Sequence, residues 1–142
     1  HLRRSGGLFA AVSSIQGKIG VPLHSGYVAA KHALQGFCDT LRMELDGSGV
    51  DVLTVMPHWL QGTNLRQSAF GGDGKALGAT SRRHNKESIS LEQASEWILA
   101  AMTARQRQLI FPWKLKALVA LNLVAPKRAE ALIKGAMNKQ DS

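Results

Sequence analysis

The sequence is short of the residues that staple, stack or punctuate a chain: among 142 residues there are one cysteine, one tyrosine and four prolines. A lone Cys38 cannot close a disulfide within the chain, so no covalent scaffold supports the fold and a reducing compartment is expected. Aromatic residues amount to 6%. No basic run is interleaved with them, and neither zinc-ligand spacing nor a helix-turn-helix pattern occurs. Nucleic-acid binding is therefore not expected, in spite of a formal net charge of +8. No apolar run approaches the ~20 residues that a membrane span needs, and no stretch within these residues reads as a secretory signal. Acids are scarce toward one end, where residues 100–142 hold eight Lys or Arg against two acids. A cytoplasmic protein is expected, with peripheral membrane contact through the basic C-terminus as the alternative.

What the chain does contain is ordinary globular material, 44% apolar and 20% charged, enough to bury a core. The run LFAAVSS at residues 8–14 reads as a buried strand. Residues 15–26 are glycine-rich, include Pro22 and read as a loop. From Tyr27 to Leu45 the period becomes helical, with Leu34, Phe37, Cys38, Leu41 and Leu45 on one face. The DGSG stretch at 46–49 stops that helix. VDVLTVM at 50–56 is a second strand, ended by Pro57. Strand, helix and strand make a right-handed βαβ unit, which belongs in a parallel sheet. A buried first strand needs neighbours on both sides, so the chain is expected to begin partway through a larger domain. Residues 64–88 carry no period and are expected to form a substrate loop or lid. Ser90 and Gln93 have capping-box spacing for a helix at about 91–104. RQLIFP at 107–112 suits a last strand, and residues 113–142 read as a helical extension split at Pro126.

Tyr27 opens the long helix, four residues before Lys31 and thirteen after Ser14. Residues four apart share a helix face, and ligands of an open α/β sheet collect beyond the carboxyl ends of its strands. A tyrosine beside a lysine is by itself more often a solvated surface pair. The strand–loop–helix setting points instead to a proton-transfer device. A phenol has a reference pKa of ~10, so a tyrosine acting as a base near neutrality needs ~4 kcal/mol of preferential stabilisation of its anion. A cation ~4 Å away supplies about that much at an effective dielectric of ~20, but only ~1 kcal/mol in bulk water. The chemistry therefore asks for a sheltered site. A serine hydroxyl can serve the reacting oxygen while the tyrosine moves the proton; Ser13 is the alternative to Ser14.

The pattern SS at 13–14, Gly17, Pro22, YVAAK at 27–31, AL at 33–34, Phe37, LRMEL at 41–45 and GVDVLTVMP at 49–57, followed by Thr63, resembles the second half of the short-chain dehydrogenase/reductases. The likeness runs from about residue 7 to 66 and more loosely to 111. It implies an α/β fold, part of a doubly wound parallel-sheet (Rossmann-like) domain whose N-terminal half is missing. Residues 1–142 would then be the C-terminal portion of a single NAD(P)-binding domain. The implied activity is hydride transfer between NAD(H) or NADP(H) and a small-molecule carbonyl or alcohol. Ser14 would polarise the substrate oxygen, Tyr27 would be the general acid or base, and Lys31 would assist Tyr27 and hold the nicotinamide ribose. By the same resemblance Pro57, Leu60 and Thr63 would join Tyr27 and Lys31 on the cofactor. Ile15, Gln16 and His58 would join Ser14 at the substrate. No metal is implied, and a homodimer or tetramer is expected.

The chain also departs from the family. His58 follows Pro57 where the family reads glycine, and Thr63 comes one residue late. The family's glycine-rich phosphate turn, Asn-Asn-Ala-Gly segment and catalytic asparagine belong to the preceding half and do not occur in these residues. GGDG at 71–74 is no substitute, having no strand before it and no helix after it. The chain alone is accordingly expected to be inactive and to hold a dinucleotide weakly. Arg82, Arg83, His84 and Lys86 read as a solvated part of the lid in preference to a phosphate site. Two rival readings remain open. One is a non-catalytic piece serving dimerisation or peripheral membrane association through WKLKALVALNLVAPKR at 113–128; the other is an epimerase or dehydratase sharing the tyrosine–lysine pair.

Overall fold

Apolar, β-branched VDVLTVM favours an extended chain, and in a computed structural model residues Asp51–Pro57 form the middle strand, β2, of a three-stranded parallel sheet. The structure describes residues 1–63, 75 and 88–138. Its elements are α1 (Leu2–Ser5), β1 (Leu8–Val12), a 3-10 turn (Ile15–Gly17), α2 (Ser25–Glu44), β2, α3 (Leu91–Thr103), β3 (Gln108–Phe111), α4 (Leu115–Val124) and α5 (Pro126–Asn138). They fall into two compact units, His1–His58 with Ile98–Ser142, and Trp59–Trp97.

In the first unit β1 pairs with β2 from Leu8 opposite Asp51 to Val12 opposite Val55, and β2 pairs with β3 from Thr54 opposite Gln108 to Pro57 opposite Phe111. The expected βαβ unit is thus present. Strand β2 is paired on both edges and buried from Val52 to Pro57. Burying side chains such as Leu53, Val55 and Met56 contributes about 1.5–3 kcal/mol each. Strand β1 departs from the expectation of full burial: only Ala11 is buried, and Val12 is 59% exposed. The reason is positional, since among the described residues β1 has a neighbour on one edge only.

Leu34, Leu41 and Leu45 of α2 pack with buried Cys38 against Phe9, Ala11 and Val52. Phe37, at the margin of that stripe, is exposed and meets Phe9 edge-on at 6.4 Å between ring centres. The helix stops where Gly47 and Gly49 take φ of 72° and 75°, a region closed to most side chains. A second cluster joins Ile15 and Ile19 after β1 to Met56, Ile110 and Ile133, with Val21, Leu115, Leu118 and Val119 packed on it. The C-terminal helices therefore belong to the core through one face each. Arg42 ties strand beginnings together by donating to the carbonyls of Val52 and Arg107 and to Asp39, and Arg105 donates to those of Gly6 and Gly49 and to Asp51.

In the second unit Leu60 bridges Ile89, and the amide of Gln61 donates to the Ile89 carbonyl. The Ser90 hydroxyl accepts from the Gln93 amide at 3.2 Å, the expected cap of α3. Hydrogen bonding also holds the Glu92 carboxyl below its usual range, chiefly from the backbone and then from Ser90. The lid expected at 64–88 lies almost wholly outside the described residues, as do Arg82, Arg83, His84 and Lys86.

Candidate functional site

Parallel pairing sets Val12 opposite Val55, so Ser13-Ser14 and Pro57-His58 leave the sheet at the same edge, the carboxyl ends of β1 and β2. The chain after β1 turns at once. Ser14 stays extended at φ −158° and caps the 3-10 turn, its hydroxyl oxygen accepting the Gln16 amide at 3.2 Å and its carbonyl accepting that of Gly17. Ser14 is buried. One Oγ lone pair accepts an amide, and among the described residues the hydroxyl proton has no acceptor, so it remains to be donated.

The turn can lie against α2 only because residue 17 is glycine. A β-carbon there would stand 2.9 Å from the carbonyl oxygen of Lys31 and 3.0 Å from both Gln35 Cγ and Ser13 Oγ. Gly17 thus presses the segment bearing Ser14 onto the helical turn bearing Lys31. Across the same junction Gln16 Oε1 and His24 Nδ1 are 3.1 Å apart, tying the 3-10 turn to the residue before α2.

Tyr27 sits in the first turn of α2 and Lys31 one turn later. The Lys31 ammonium stands 5.5 Å from the centre of the Tyr27 ring and donates to the carbonyl of Val12 at 3.4 Å. One cation therefore touches both the tyrosine and the strand end that leads into Ser14. The structure brings Lys31 to Tyr27 over the ring face, and Tyr27 is 38% exposed. The described residues alone do not provide the shelter that the sequence argument asked for.

The other expected site residues are distributed unevenly. Ile15 is a core residue, closed in with Ile19, Met56, Ile110 and Ile133, which gives it a packing position. Gln16 faces His24. Pro57 is buried opposite Phe111, and the His58 amide donates to the Phe111 carbonyl at 3.1 Å. Leu60 and Thr63 belong to the second unit, where Leu60 pairs with Ile89 and Thr63 is exposed. Ser13, the alternative serine, donates its amide to the Val55 carbonyl at 2.8 Å, but its buried hydroxyl has no hydrogen-bond partner among the described residues. The same is true of the amide nitrogen of buried Gln35.

Residues that sequence reasoning missed are His24, the Val12 carbonyl, the packing role of Gly17, and Gln35. Gln35 carried a signal, a polar side chain between Leu34 and Cys38 on the apolar face of α2. The Val12 carbonyl carried none, since a backbone acceptor has no residue type. A cleft of about 350 Å³ lies at the opposite end of the sheet, lined by residues including Arg42, Asp51, Arg105 and Arg107. Its guanidinium groups are engaged by Asp39, Asp51 and carbonyls, and it takes no part in the arrangement around Tyr27. Among the described residues no cluster of His, Cys, Asp or Glu could hold a metal ion.

A family model described as short chain dehydrogenase matches residues 1–73. A dehydrogenase/reductase SDR family member 7B from Xenopus laevis is 35% identical over 121 residues, covering 84% of this chain and 37% of that protein. An SDR family protein 7-like from Drosophila melanogaster is 31% identical over 109 residues, covering 77% and 33%. The chain therefore spans about a third of the length of these relatives. A solved short-chain dehydrogenase from Burkholderia cenocepacia, in complex with NADP, superposes with a TM-score of 0.70 at 19% identity, covering 93% of this chain and 49% of that one. That likeness shows a common α/β, Rossmann-like fold.

Proposed function

The chain belongs to the short-chain dehydrogenase family, and we propose that it carries the proton-transfer machinery of a nicotinamide-dependent oxidoreductase acting on a carbonyl or alcohol. The observation that supports this reading best is the Lys31 ammonium, placed 5.5 Å from the Tyr27 ring centre while it donates to Val12. Ser14 donates its free proton to the substrate oxygen, drawing electron density from the carbon that is to be reduced. Tyr27 delivers the proton to that oxygen in reduction and removes it in oxidation. Lys31 holds a positive charge beside the ring while that proton is transferred.

The residues present fit one end of the cofactor. An ammonium has three N–H donors and Lys31 uses one on Val12, which leaves two for the hydroxyls of a nicotinamide ribose. When bound, NAD(H) or NADP(H) supplies or accepts the hydride; the NADP in the Burkholderia relative supports a nicotinamide cofactor here. No glycine-rich strand–turn–helix for its phosphates occurs among the described residues, and no G-x-G-x-x-G pattern is found in the sequence. The 142 residues alone are therefore expected to bind reduced nicotinamide mononucleotide weakly and to turn nothing over.

The test joins this chain to the N-terminal segment of a matched relative and follows reduced-nicotinamide absorbance over a panel of ketones and alcohols. Tyr27→Phe should lower kcat by about 10²- to 10⁴-fold with the fold intact. Unchanged turnover would refute the role of Tyr27. A completed chain that binds cofactor and reduces no carbonyl would refute the oxidoreductase.

A further inference from the structure

Helix α4 is held to the core by one face and leaves another bare. Leu115, Leu118 and Val119 pack against the Ile15–Met56–Ile110 cluster. On the other side Trp113, Ala117, Ala120 and Val124 recur at spacings of four, three and four, which places them along one face of the wound chain. Winding begins before the helix proper, with the amides of Leu115 and Lys116 donating to the carbonyls of Pro112 and Trp113. With Leu123 beside it, this stripe is strongly exposed: Trp113 is 73%, Leu123 79% and Val124 82% accessible. A helix resting on a core normally turns polar residues to water. This one turns tryptophan, alanine, leucine and valine.

The charges around the stripe have one sign. From Trp113 to Arg128 the chain carries Lys114, Lys116, Lys127 and Arg128 and not one acid. None of these four forms an ion pair with a described residue. Lysines flank the stripe at its start, and a Lys-Arg pair follows its end. No helix of the described chain is long and apolar enough to cross a membrane, so the stripe offers a helix lying along a surface. Tryptophan at the margin of an apolar helical face, with cations beside it, is the composition that settles at the boundary between headgroups and acyl chains.

We propose that this face of α4 docks on an anionic lipid surface, with Trp113, Leu123 and Val124 entering the headgroup boundary while Lys114, Lys116, Lys127 and Arg128 meet lipid phosphates and carboxylates. Charge selects this occupant over a second copy of the chain: two such faces would bring four unpaired cations against four, whereas an anionic bilayer neutralises them and accepts the apolar stripe together. The proposal does not depend on the oxidoreductase reading, because α4 carries none of the residues assigned there.

The test is co-sedimentation of the full chain with vesicles of phosphatidylcholine, with and without a one-third share of phosphatidylserine. Binding should require phosphatidylserine and weaken as salt is raised. The double variant Leu123→Glu, Val124→Glu, made at positions already in water, should abolish binding with its circular dichroism unchanged. Lys114→Gln and Lys116→Gln should each reduce partitioning by about five-fold. Equal binding to both vesicle types, or no binding to either, overturns the proposal. So does a concentration-dependent dimer, seen by analytical ultracentrifugation, that Leu123→Glu dissolves while the wild-type chain ignores vesicles.

Discussion

Replacing Lys31 by methionine keeps the apolar packing stem of the side chain while deleting the terminal ammonium and its charge. The distance in the structure sets the size of the effect. With the 5.5 Å between ammonium and Tyr27 ring centre standing in for the separation of the charges, a unit charge attracts an anion by about 3 kcal/mol at an effective dielectric of 20 and by about 0.8 kcal/mol in water. These translate into losses of about 150-fold and about four-fold in rate. Because Tyr27 is partly exposed in the described chain, the low figure applies to an open site and the high one to a site that substrate and cofactor have emptied of water. In the chain completed with a relative's N-terminal segment, kcat/KM for carbonyl reduction should fall within those limits. Lys31→Arg should restore much of the loss. The hydrogen bond to Val12 also disappears, costing about 1 kcal/mol of stability, so thermal unfolding is recorded beside the kinetics. If only the KM for cofactor rises while kcat is unchanged, Lys31 binds ribose and does not act on the tyrosine. A rate unchanged within two-fold would refute the electrostatic argument altogether.

Gly17→Ala should destabilise the chain by about 1–3 kcal/mol in denaturant unfolding, because its β-carbon would press on the Lys31 carbonyl, Gln35 and Ser13; an unaffected midpoint would mean that the turn and α2 separate freely. Gln35→Leu removes a buried amide nitrogen that has no hydrogen-bond partner among the described residues, so stability should stay level or rise by about 1 kcal/mol, whereas a clear loss would reveal an ordered water satisfying that amide. Burial pushes the Cys38 thiol up, an effect that outweighs the lowering by Arg42, and Asp39 adds to the rise. In the native chain Cys38 should therefore resist a thiol reagent until denaturant is added, and rapid native labelling would contradict its burial. Since the raised thiol stays protonated in the folded state while the unfolded one ionises, its stabilising contribution is whole below the ordinary thiol range. It is lost as pH rises through that range toward the folded value.

The order of the longer elements from β1 onward was legible because each rests on a local rule, whereas the short α1 and the 3-10 turn were not foreseen. Helix α2 follows from apolar residues at Leu34, Cys38, Leu41 and Leu45 and a glycine stop, β2 from a β-branched run closed by proline, and α3 from the Ser90 cap. Structure and expectation agree there to within two residues. Of the proposed site, the Tyr27–Lys31 pairing was legible as well, since a spacing of four on a helix is a property of the sequence itself.

Tertiary structure decided the rest, because each remaining point depends on where distant atoms meet. Periodicity could not say that β1 would lie at an edge with Val12 in water, since burial belongs to neighbours and not to the strand. Nor could it say that Ile15 would close into the core, that Gly17 would be squeezed between Ser13 and the Lys31 carbonyl, or that Lys31 would reach back to the Val12 carbonyl. The bare face of α4 is the same kind of fact: the sequence determined an apolar, basic helix, and only packing decided which of its sides the core would leave uncovered.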